Sequence, residues 1–282
     1  MLRVGRIPYI NCFPVYGAID RGIVPLDGSL ITGIPTALNR LMADGELDVS
    51  VVSAVEYARD AKRYLLLPEL GITSDGPVRS VMLFSKRPPS ELGGLKVIVS
   101  RSSMTSVALL ELLFENVWRC RPEFVLGDAE LADVARFEDE PHEARLVIGD
   151  AALKLFDQAN RGGSWAVRYP FREDLGGAWK DWTGLPFVFA VWVAQRRAPV
   201  HEALSAHASL IASRDWGLAH LDQLSAQAAL ATGVSREACA EYFSGLDYRL
   251  SYPHLAGLTE FFRRLVLAGR VPDGTLAFLP AA

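Results

Sequence analysis

The chain has 282 residues, more than one hydrophobic core usually organises, so two domains or two lobes are expected. Half of the residues are hydrophobic and 22% are charged, a balance typical of soluble globular proteins rather than of disordered chains. The formal net charge is 29 minus 33, or −4, and no long basic run occurs, so the sequence lacks the electrostatic signature of nucleic-acid binding.

The apolar segments of the chain are too short to span a membrane. The run from Leu185 to Ala194, LPFVFAVWVA, is about half as long as the roughly 20 residues that a bilayer requires. The amino-terminal sequence MLRVGRIPYINC has no uninterrupted apolar region of signal-peptide length. Cys12, Cys120 and Cys239 lie far apart and form no CxxC pair. These features predict a protein of the reducing cytoplasm without a membrane partner.

Short β-rich runs alternate with helical stretches in the first part of the chain. The predicted strands are LRVGRI, SLITG, DVSVVSA and VRSVMLFS. The predicted helices are FPVYGAIDRG, PTALNRLMADGEL and SAVEYARDAKR. In the second of these helices, Leu38, Leu41 and Met42 share one face, and Gly45 is placed to end the helix.

A second series of elements follows the Pro-Gly-rich link KRPPSELGG. It comprises KVIVS, SSMTSVALLELLFENVW, EFVL, RLVIGD, AALKLFDQAN and FVFAVWVA, and the chain from Pro199 onward is mostly helical. The alternation predicts an α/β fold of parallel sheets with helices on both faces. We expect one discontinuous lobe of residues 1–87 plus 195–282, with a helical C-terminal tail, and an inserted lobe of residues 88–194. A ligand cleft is expected between the lobes.

Common signatures of nucleotide binding, nucleophilic catalysis and zinc binding are absent. The sequence contains no GxGxxG, GxxxxGK[ST], GxSxG or HExxH, and its five histidines do not cluster at metal-ligand spacing. We therefore predict neither a cofactor nor a metal ion. Cys12 is expected to be a buried, inert thiol, because no histidine lies near it in its motif.

Small polar residues gather where predicted strands give way to helices. These junctions carry Asn11, Ser53, the run Ser102, Ser103, Thr105 and Ser106, and the pair Gly149 and Asp150. Taken singly, each such residue is expected to cap a helix and to contribute about 1 kcal/mol. Several of them together fit a site for a small anion, since helix N-termini offer free N–H groups and the positive end of the helix dipole. Arg79, Lys86 and Arg101 flank these positions, where they either add charge-assisted bonds or are solvated.

Five segments in order resemble the menaquinone-biosynthesis MqnA/MqnD family: RIPYINCFPVY, GELDVSVVSAVEYAR, SMTSVALLELL, IGDAAL and WKDWTGLPFVFAVW. The resemblance runs from residue 3 to about residue 194, with a looser match through FSGLDYRLSYPHLAGLTEFFRRL. Asn-Cys-Phe-Pro stands where the branch that makes 1,4-dihydroxy-6-naphthoate usually has an Asn-Asp-Thr-type motif, which favours the MqnA branch, the chorismate dehydratases of the futalosine pathway. The resemblance implies the two-lobed fold of type II periplasmic binding proteins.

The same resemblance implies a carbon–oxygen lyase (hydro-lyase) that removes water from chorismate to give 3-[(1-carboxyvinyl)oxy]benzoate without a cofactor. Loss of the ring C3 proton and the C4 hydroxyl aromatises the ring, so the enzyme has mainly to fix the dicarboxylate substrate and to stabilise charge on the ring carboxylate. A non-catalytic small-carboxylate-binding protein and the sibling 1,4-dihydroxy-6-naphthoate synthase are the alternatives. The oligomeric state is left open.

Asn11 matches the asparagine of the family's N-terminal motif and is the catalytic candidate. Its amide is expected to hold the departing hydroxyl or to orient the enolpyruvyl arm. An amide is not a strong base, so the hypothesis is that the substrate's own enolpyruvyl carboxylate takes the C3 proton. Glu56 is expected to face solvent from its helix, and Asp150 acts as a base or, by preference, caps the next helix.

The substrate-binding candidates that match the family's motifs are Ser53, Ser80, Ser103, Thr105, Ser106, Asp150, Thr183 and Gly184. Ser80 is expected in a strand, pointing into the cleft, and Met104 interrupts the carboxylate-binding run Ser103, Thr105 and Ser106. Thr183 and Gly184 either line the opposite wall or form a turn. Four aromatic residues are expected in the core rather than stacked on a ligand: Trp179, Trp182, Phe187 and Trp192.

Overall fold

The computed structural model describes residues 1–101, 103–127 and 141–280. The strands in chain order are β1 (Leu2–Arg6), β2 (Gly28–Thr32), β3 (Val49–Ser53), β4 (Tyr64–Ser74), β5 (Val81–Ser85), β6 (Lys96–Ser100), β7 (Glu123–Gly127), β8 (Ala144–Ile148), β9 (Phe171–Asp174) and β10 (Phe187–Gln195). The helices are α1 (Phe13–Asp20), α2 (Pro35–Asp44), α3 (Ala54–Arg59), α4 (Met104–Asn116), α5 (Gly149–Asn160), α6 (Leu175–Thr183), α7 (Val200–Ala219), α8 (Leu221–Thr232), α9 (Arg236–Gly245) and α10 (Tyr252–Leu267).

The chain forms two compact units. Unit 1 comprises Met1–Thr73, Val188–Ser225 and Asp247–Ala282, and unit 2 comprises Ser74–Phe187 and Ala226–Leu246. These limits differ from the division expected at residues 87/88 and 194/195. The difference arises because β5 pairs with strands of unit 2, and because α9 packs against that unit. The division into lobes that act together on a ligand stays a prediction.

The sheet of unit 1 runs in the order β2-β1-β3-β10-β4 among the described residues. Strand β1 is parallel to both β2 and β3, whereas β10 is antiparallel to β3, with Ala190 opposite Ser53. The sheet of unit 2 runs β7-β6-β8-β5-β9 and repeats this pattern, since β6 is parallel to β7 and β8 while β5 is antiparallel to β8. Both sheets are therefore mixed.

The expectation of parallel sheets was wrong for the predicted strands that became β5 and β10, and the antiparallel strand β9 was not predicted. Strand β5 follows the passage of the chain into unit 2, and β10 carries the chain back into unit 1. Each of the two strands follows a strand of the other sheet, β4 before β5 and β9 before β10, so neither completes the strand–helix–strand crossover within one sheet that joins parallel neighbours. The α/β class itself is confirmed.

Helix boundaries follow local sequence signals. Helix α2 ends at Gly45, whose φ of 74° is the left-handed conformation that glycine adopts at little cost, as the sequence predicted. Leu38 and Met42 on its apolar face are buried. Helices α1 and α7 approach closely at Gly217, where a Cβ atom would lie 2.2 Å from the carbonyl oxygen of Pro14. This contact fixes the start of α1 against the rest of unit 1.

Strand ends gather at one edge of each sheet. In unit 1, the parallel strands β1 and β3 lead at their carboxyl ends into the chain segments that start α1 and α3. In unit 2, β6 and β8 lead into α4 and α5, and the start of β5 joins the same edge because Val81 pairs with Ile148. Strand-to-helix junctions thus share one edge of the sheet within each unit, and the expectation that they face one ligand cleft stays a prediction.

Three of the four aromatic residues expected in the core are fully buried: Trp179, Phe187 and Trp192. Trp182 is half-buried and packs edge-on against Trp179, with ring centroids 5.7 Å apart. No helix among the described residues has the length and apolar character needed to cross a bilayer.

Candidate functional site

Asn11 lies in a short 3-10 turn, Ile10–Cys12, between β1 and α1. Pro14 in the first turn of α1 favours the start of the helix at this point. The Asn11 side-chain oxygen Oδ1 is shielded from solvent and has no hydrogen-bond partner among the described residues. A buried acceptor without a partner costs about 1–3 kcal/mol, so this oxygen contributes nothing to stability that would explain its position.

Ser53 ends β3 and occupies the N-cap position of α3, but its side chain makes no capping bond to the described helix, contrary to the sequence-based expectation. The Asn39 Nδ2 group donates instead to Ser53 Oγ over 2.9 Å, and the Ser53 backbone N–H donates to Asn39 Oδ1 over 3.1 Å. Asn39 and Ser53 are both buried. Helix α2 therefore holds the β3–α3 junction.

Glu56 in the first turn of α3 is buried, and the expectation that it faces solvent was wrong. The Tyr64 hydroxyl donates a hydrogen bond to Glu56 Oε1 over 3.1 Å. Burial raises the pKa of the Glu56 carboxyl, an effect that the bond from Tyr64 opposes.

Ser80 is buried and directly precedes β5, rather than lying within the strand as expected. Its Oγ accepts a hydrogen bond of 2.8 Å from the Tyr242 hydroxyl of α9, and its carbonyl oxygen accepts one of 2.8 Å from the Gly149 N–H. Gly149 has a φ of 63° and begins α5. This bond brings Ser80 next to the Gly149–Asp150 junction, so two predicted features meet at one edge of the unit 2 sheet.

Asp150 lies in the first turn of α5, where the N-cap position belongs to Ile148. The expectation that Asp150 caps this helix was therefore wrong, because Gly149 and Asp150 already belong to the helix and α5 starts two residues earlier than expected. A carboxylate in the first turn still interacts favourably with the helix dipole.

Ser103 is the N-cap of α4, as the capping interpretation predicted. Its Oγ accepts the backbone N–H of Ser106 over 3.2 Å and donates to Ser106 Oγ over 2.8 Å. Thr105 and Ser106 are buried in the first turn, and Met104 stands between them and the cap. Ser102 lies outside the described residues.

The three flanking cations have separate environments. Arg79 pairs with Glu241 of α9 at 2.6 Å. Lys86 lies beyond the opposite end of β5 from Ser80, where its Nζ donates to the His142 carbonyl oxygen over 2.5 Å. Arg101 is exposed and donates to the carbonyl oxygen of Leu126 over 3.3 Å.

Thr183 and Gly184 end α6. The Thr183 hydroxyl donates to the Trp179 carbonyl oxygen over 2.8 Å and accepts from the Leu185 N–H over 3.2 Å. Gly184 has a φ of 74° and forms the C-cap. The turn interpretation is therefore confirmed, and contact of these two residues with a ligand stays a prediction.

Two residues that were not predicted from the sequence donate hydrogen bonds to the candidate serines: Asn39 to Ser53 and Tyr242 to Ser80. Asn39 follows Leu38 on the buried side of the amphipathic helix α2, and a polar residue at such a position is only a weak indication of a buried hydrogen bond. Tyr242 lies 162 residues from Ser80 and gives no signal in the sequence. Among the described residues, no group of three or more His, Cys, Asp and Glu side chains is placed to hold a metal ion.

The two units thus each have a mixed sheet, with equivalent strand orders and with polar residues at one edge. This is the fold of periplasmic binding proteins. The aliphatic sulphonate binding protein SsuA of Escherichia coli has this fold, with a TM-score of 0.62 and 14% identity over 100% of this chain and 94% of SsuA. Protein AF1704 of Archaeoglobus fulgidus aligns with a TM-score of 0.78 and 19% identity, over 96% of this chain and 98% of that protein.

Residues 2–266 match the protein family described as menaquinone biosynthesis. A relative from Thermus thermophilus, a chorismate dehydratase, is 31% identical in an alignment 271 residues long that covers 92% of this chain and 96% of the relative. The chain belongs to the menaquinone-biosynthesis family, as its motifs predicted.

Proposed function

We propose that this chain is a chorismate dehydratase, a hydro-lyase that converts chorismate to 3-[(1-carboxyvinyl)oxy]benzoate and water in menaquinone biosynthesis by the futalosine route. The family match and the relative of that name support the activity. The structural observation that carries the proposal is the buried Oδ1 of Asn11, for which the described part of the chain offers no hydrogen-bond partner. The expected cytoplasmic location is part of the same proposal.

The reaction removes a proton from ring carbon C3 and the hydroxyl group from C4. The electrons of the C3–H bond form the new ring double bond as the C4–O bond breaks, and the proton and hydroxyl leave as water. Because the product is aromatic, the ring supplies the driving force. The protein has to hold the substrate in the reactive conformation and to stabilise negative charge that spreads from C3 to the ring carboxylate.

Asn11 Oδ1 is suited to bind the hydroxyl group that leaves. A carboxamide oxygen accepts a hydrogen bond from an O–H group, and it goes on accepting when that group becomes water. Its desolvation cost is already met in the folded protein, so little reorganisation accompanies the reaction. An amide does not remove the C3 proton, and in this proposal the enolpyruvyl carboxylate of the substrate takes it and delivers it to the leaving hydroxyl.

Neutral donors are assigned to the carboxylates of the substrate. In this proposal, Ser53, Ser80, Thr105 and Ser106 donate hydrogen bonds, and the start of α4 adds the positive end of its dipole. Neutral donors suit a charge that moves during the reaction, because they do not bind one carboxylate so tightly that it loses its basicity. Ser103 contributes through Ser106, to which its hydroxyl donates. Roles for Asp150, Thr183 and Gly184 stay predictions.

The experiment that tests the proposal incubates the purified, metal-stripped protein with chorismate. The expected result is new aromatic absorbance and a product lighter than chorismate by one water. The rate at which this product forms is expected to fall about a hundredfold or more in Asn11→Ala. Near-normal turnover by that variant would overturn the role of Asn11. Chorismate that binds and is recovered intact would indicate a carboxylate receptor, and a chain that neither binds nor converts it would favour the naphthoate-forming sibling.

A further inference from the structure

The Ser80 hydroxyl is held by a buried tyrosine from a distant part of the chain. Ser80 and Tyr242 are 4% and 2% exposed, and their oxygens lie 2.8 Å apart. Both belong to unit 2, although 162 residues separate them in the sequence. Water therefore has little access to this hydrogen bond, and a bond in such surroundings is stronger than one at the surface.

The chemistry of the two hydroxyl groups sets the direction of the bond. A phenol is a stronger acid than an aliphatic alcohol, so the Tyr242 hydroxyl donates and Ser80 Oγ accepts. A serine hydroxyl has one proton and two lone pairs, and accepting from Tyr242 leaves the proton to donate elsewhere. A proton presented in this way fits a carboxylate or another anionic oxygen.

The backbone next to Ser80 is also fixed from α9. Arg79 has a φ of 60°, a conformation that is strained for a residue with a side chain. Its N–H donates to Asp174 Oδ2 over 2.6 Å, and its guanidinium donates to the Glu241 carbonyl oxygen over 2.9 Å and to the Glu241 carboxylate over 2.6 Å. The consecutive residues Glu241 and Tyr242 thus hold the consecutive residues Arg79 and Ser80.

We propose that Tyr242 is a positioning residue of the dehydration, whose hydroxyl orients the Ser80 hydroxyl so that the Ser80 proton points at a substrate carboxylate. The inference rests on the proposed function, since it gives Ser80 a substrate to bind. Tyr242 itself touches no substrate in this account. It acts through Ser80, and α9 is the element that supplies it.

A double-mutant cycle on chorismate turnover tests the inference with Tyr242→Phe, Ser80→Ala and the double variant. We expect Tyr242→Phe to lower kcat/KM about tenfold and Ser80→Ala about a hundredfold, and the double variant to equal Ser80→Ala. Tyr169→Phe is the matched control, since it removes another buried hydroxyl of unit 2, one bonded to His142 near the opposite end of β5. That control is expected to keep turnover within about twofold of wild type while it also loses a buried hydrogen bond.

A tyrosine that acts only on stability would give losses of turnover that multiply in the double variant, and this result would overturn the inference. Turnover by Tyr242→Phe within twofold of wild type would overturn it as well. Both results leave the proposed function intact, because the wild-type chain still converts chorismate. A wild-type chain without turnover would overturn the proposed function, and the inference with it.

A second measurement does not depend on the folding of Tyr242→Phe. 3-Fluorotyrosine at position 242 keeps the shape and the hydroxyl of tyrosine, and turnover is expected to be retained. Its fluorine resonance is expected to shift when 3-[(1-carboxyvinyl)oxy]benzoate is added, and to stay in place in the Ser80→Ala background. Coupling through Ser80 would be contradicted if the resonance does not move in the protein that retains Ser80. It would also be contradicted if the resonance moves equally in that protein and in the Ser80→Ala variant.

Discussion

Asn39 and Ser53 form a reciprocal pair, in which the side chain of Asn39 binds both the hydroxyl and the backbone N–H of Ser53, over 2.9 and 3.1 Å. Both residues are buried within unit 1. Because Ser53 Oγ accepts from the Asn39 Nδ2 group, the Ser53 proton is available to a ligand at the start of α3. The hydrogen bond has the same direction as the one at Ser80: in both, the serine oxygen accepts, from Asn39 at Ser53 and from Tyr242 at Ser80.

We expect Asn39→Asp to reverse the direction of the hydrogen bond between the side chain at position 39 and the Ser53 hydroxyl. An aspartate has no N–H group, so the Ser53 hydroxyl turns to donate to it and no longer donates to substrate. The expected result is a KM for chorismate raised about tenfold, corresponding to the loss of one hydrogen bond. Steady-state kinetics of Asn39→Asp, Ser53→Ala and the double variant measure it. If the two losses multiply in the double variant, Asn39 does not act through Ser53.

Asn11 and Asn39 are expected to respond in opposite ways to the same substitution. Asn11 Oδ1 lacks a partner among the described residues, so Asn11→Ala removes a desolvation cost and leaves the free energy of unfolding unchanged or higher. Asn39→Ala strands the N–H and hydroxyl of Ser53 and is expected to lower that free energy by about 1–3 kcal/mol. Urea denaturation measures both. An Asn11→Ala protein as unstable as Asn39→Ala would show that Asn11 has a structural role.

The arrangement of the junctions could be predicted because it depends on strand order and not on side-chain detail. Alternating strands and helices predict parallel neighbours, and the carboxyl ends of parallel neighbours share an edge, as those of β1 and β3 do. Asn11 and Ser53 therefore follow neighbouring strand ends without any knowledge of packing. The mixed character of both sheets was missed because the crossing strands carry the same apolar pattern as parallel ones.

Side-chain partners were beyond the reach of the sequence. The solvent-facing assignment of Glu56 failed because α3 is a short helix in which Ala54 through Ala58 are all buried, so no polar face distinguishes one position from another. Tyr242 was missed because its contact with Ser80 depends on how α9 packs within unit 2, and a pattern confined to one helix does not reveal its partner.

Glu56 is expected to make stability fall as pH rises. Burial raises the pKa of its carboxyl above the usual 4.5, so the folded chain holds this proton more tightly than the unfolded chain does. The penalty therefore appears as pH rises from 4.5 through the pKa of the folded state, and it is absent below 4.5. Glu56→Gln removes the charge and keeps an oxygen for Tyr64, so we expect a higher melting temperature than wild type at neutral pH and a vanishing difference in acid.

Glu260→Gln is the matched control for this pH dependence. The Arg263 guanidinium, 2.7 Å away, lowers the pKa of Glu260, so this carboxylate stabilises the fold above the usual pKa of 4.5 and loses that contribution as pH falls through its lowered pKa. Glu260→Gln should thus be less stable than wild type at neutral pH, the opposite sign to Glu56→Gln.

Glu56→Gln should also keep its turnover, since the substrate takes the C3 proton in the proposed mechanism. A stable Glu56→Gln protein without turnover would identify Glu56 as the base instead.

Asp174 links the site segment to the start of α6. Its carboxylate accepts backbone N–H groups from Val78 and Arg79, over 3.0 and 2.6 Å, and from Gly176 and Gly177, over 2.9 and 3.1 Å. Burial raises the pKa of this carboxyl, and the four N–H groups oppose that shift. The carboxylate therefore fixes the strained backbone immediately before Ser80 as well as capping a helix.

Asp174→Asn places an NH₂ group against these donors and leaves some of them unpaired. We expect it to lower the free energy of unfolding by about 2–3 kcal/mol and to reduce turnover more than its stability alone explains, because Ser80 follows the released segment. Asp75→Asn is the control, since Asp75 is exposed and pairs with Lys180 at the surface, where such pairs contribute about 0–1 kcal/mol. Turnover of Asp174→Asn, measured at a temperature where it is fully folded, separates the two effects. Full turnover there would show that the segment before Ser80 is held in place without Asp174.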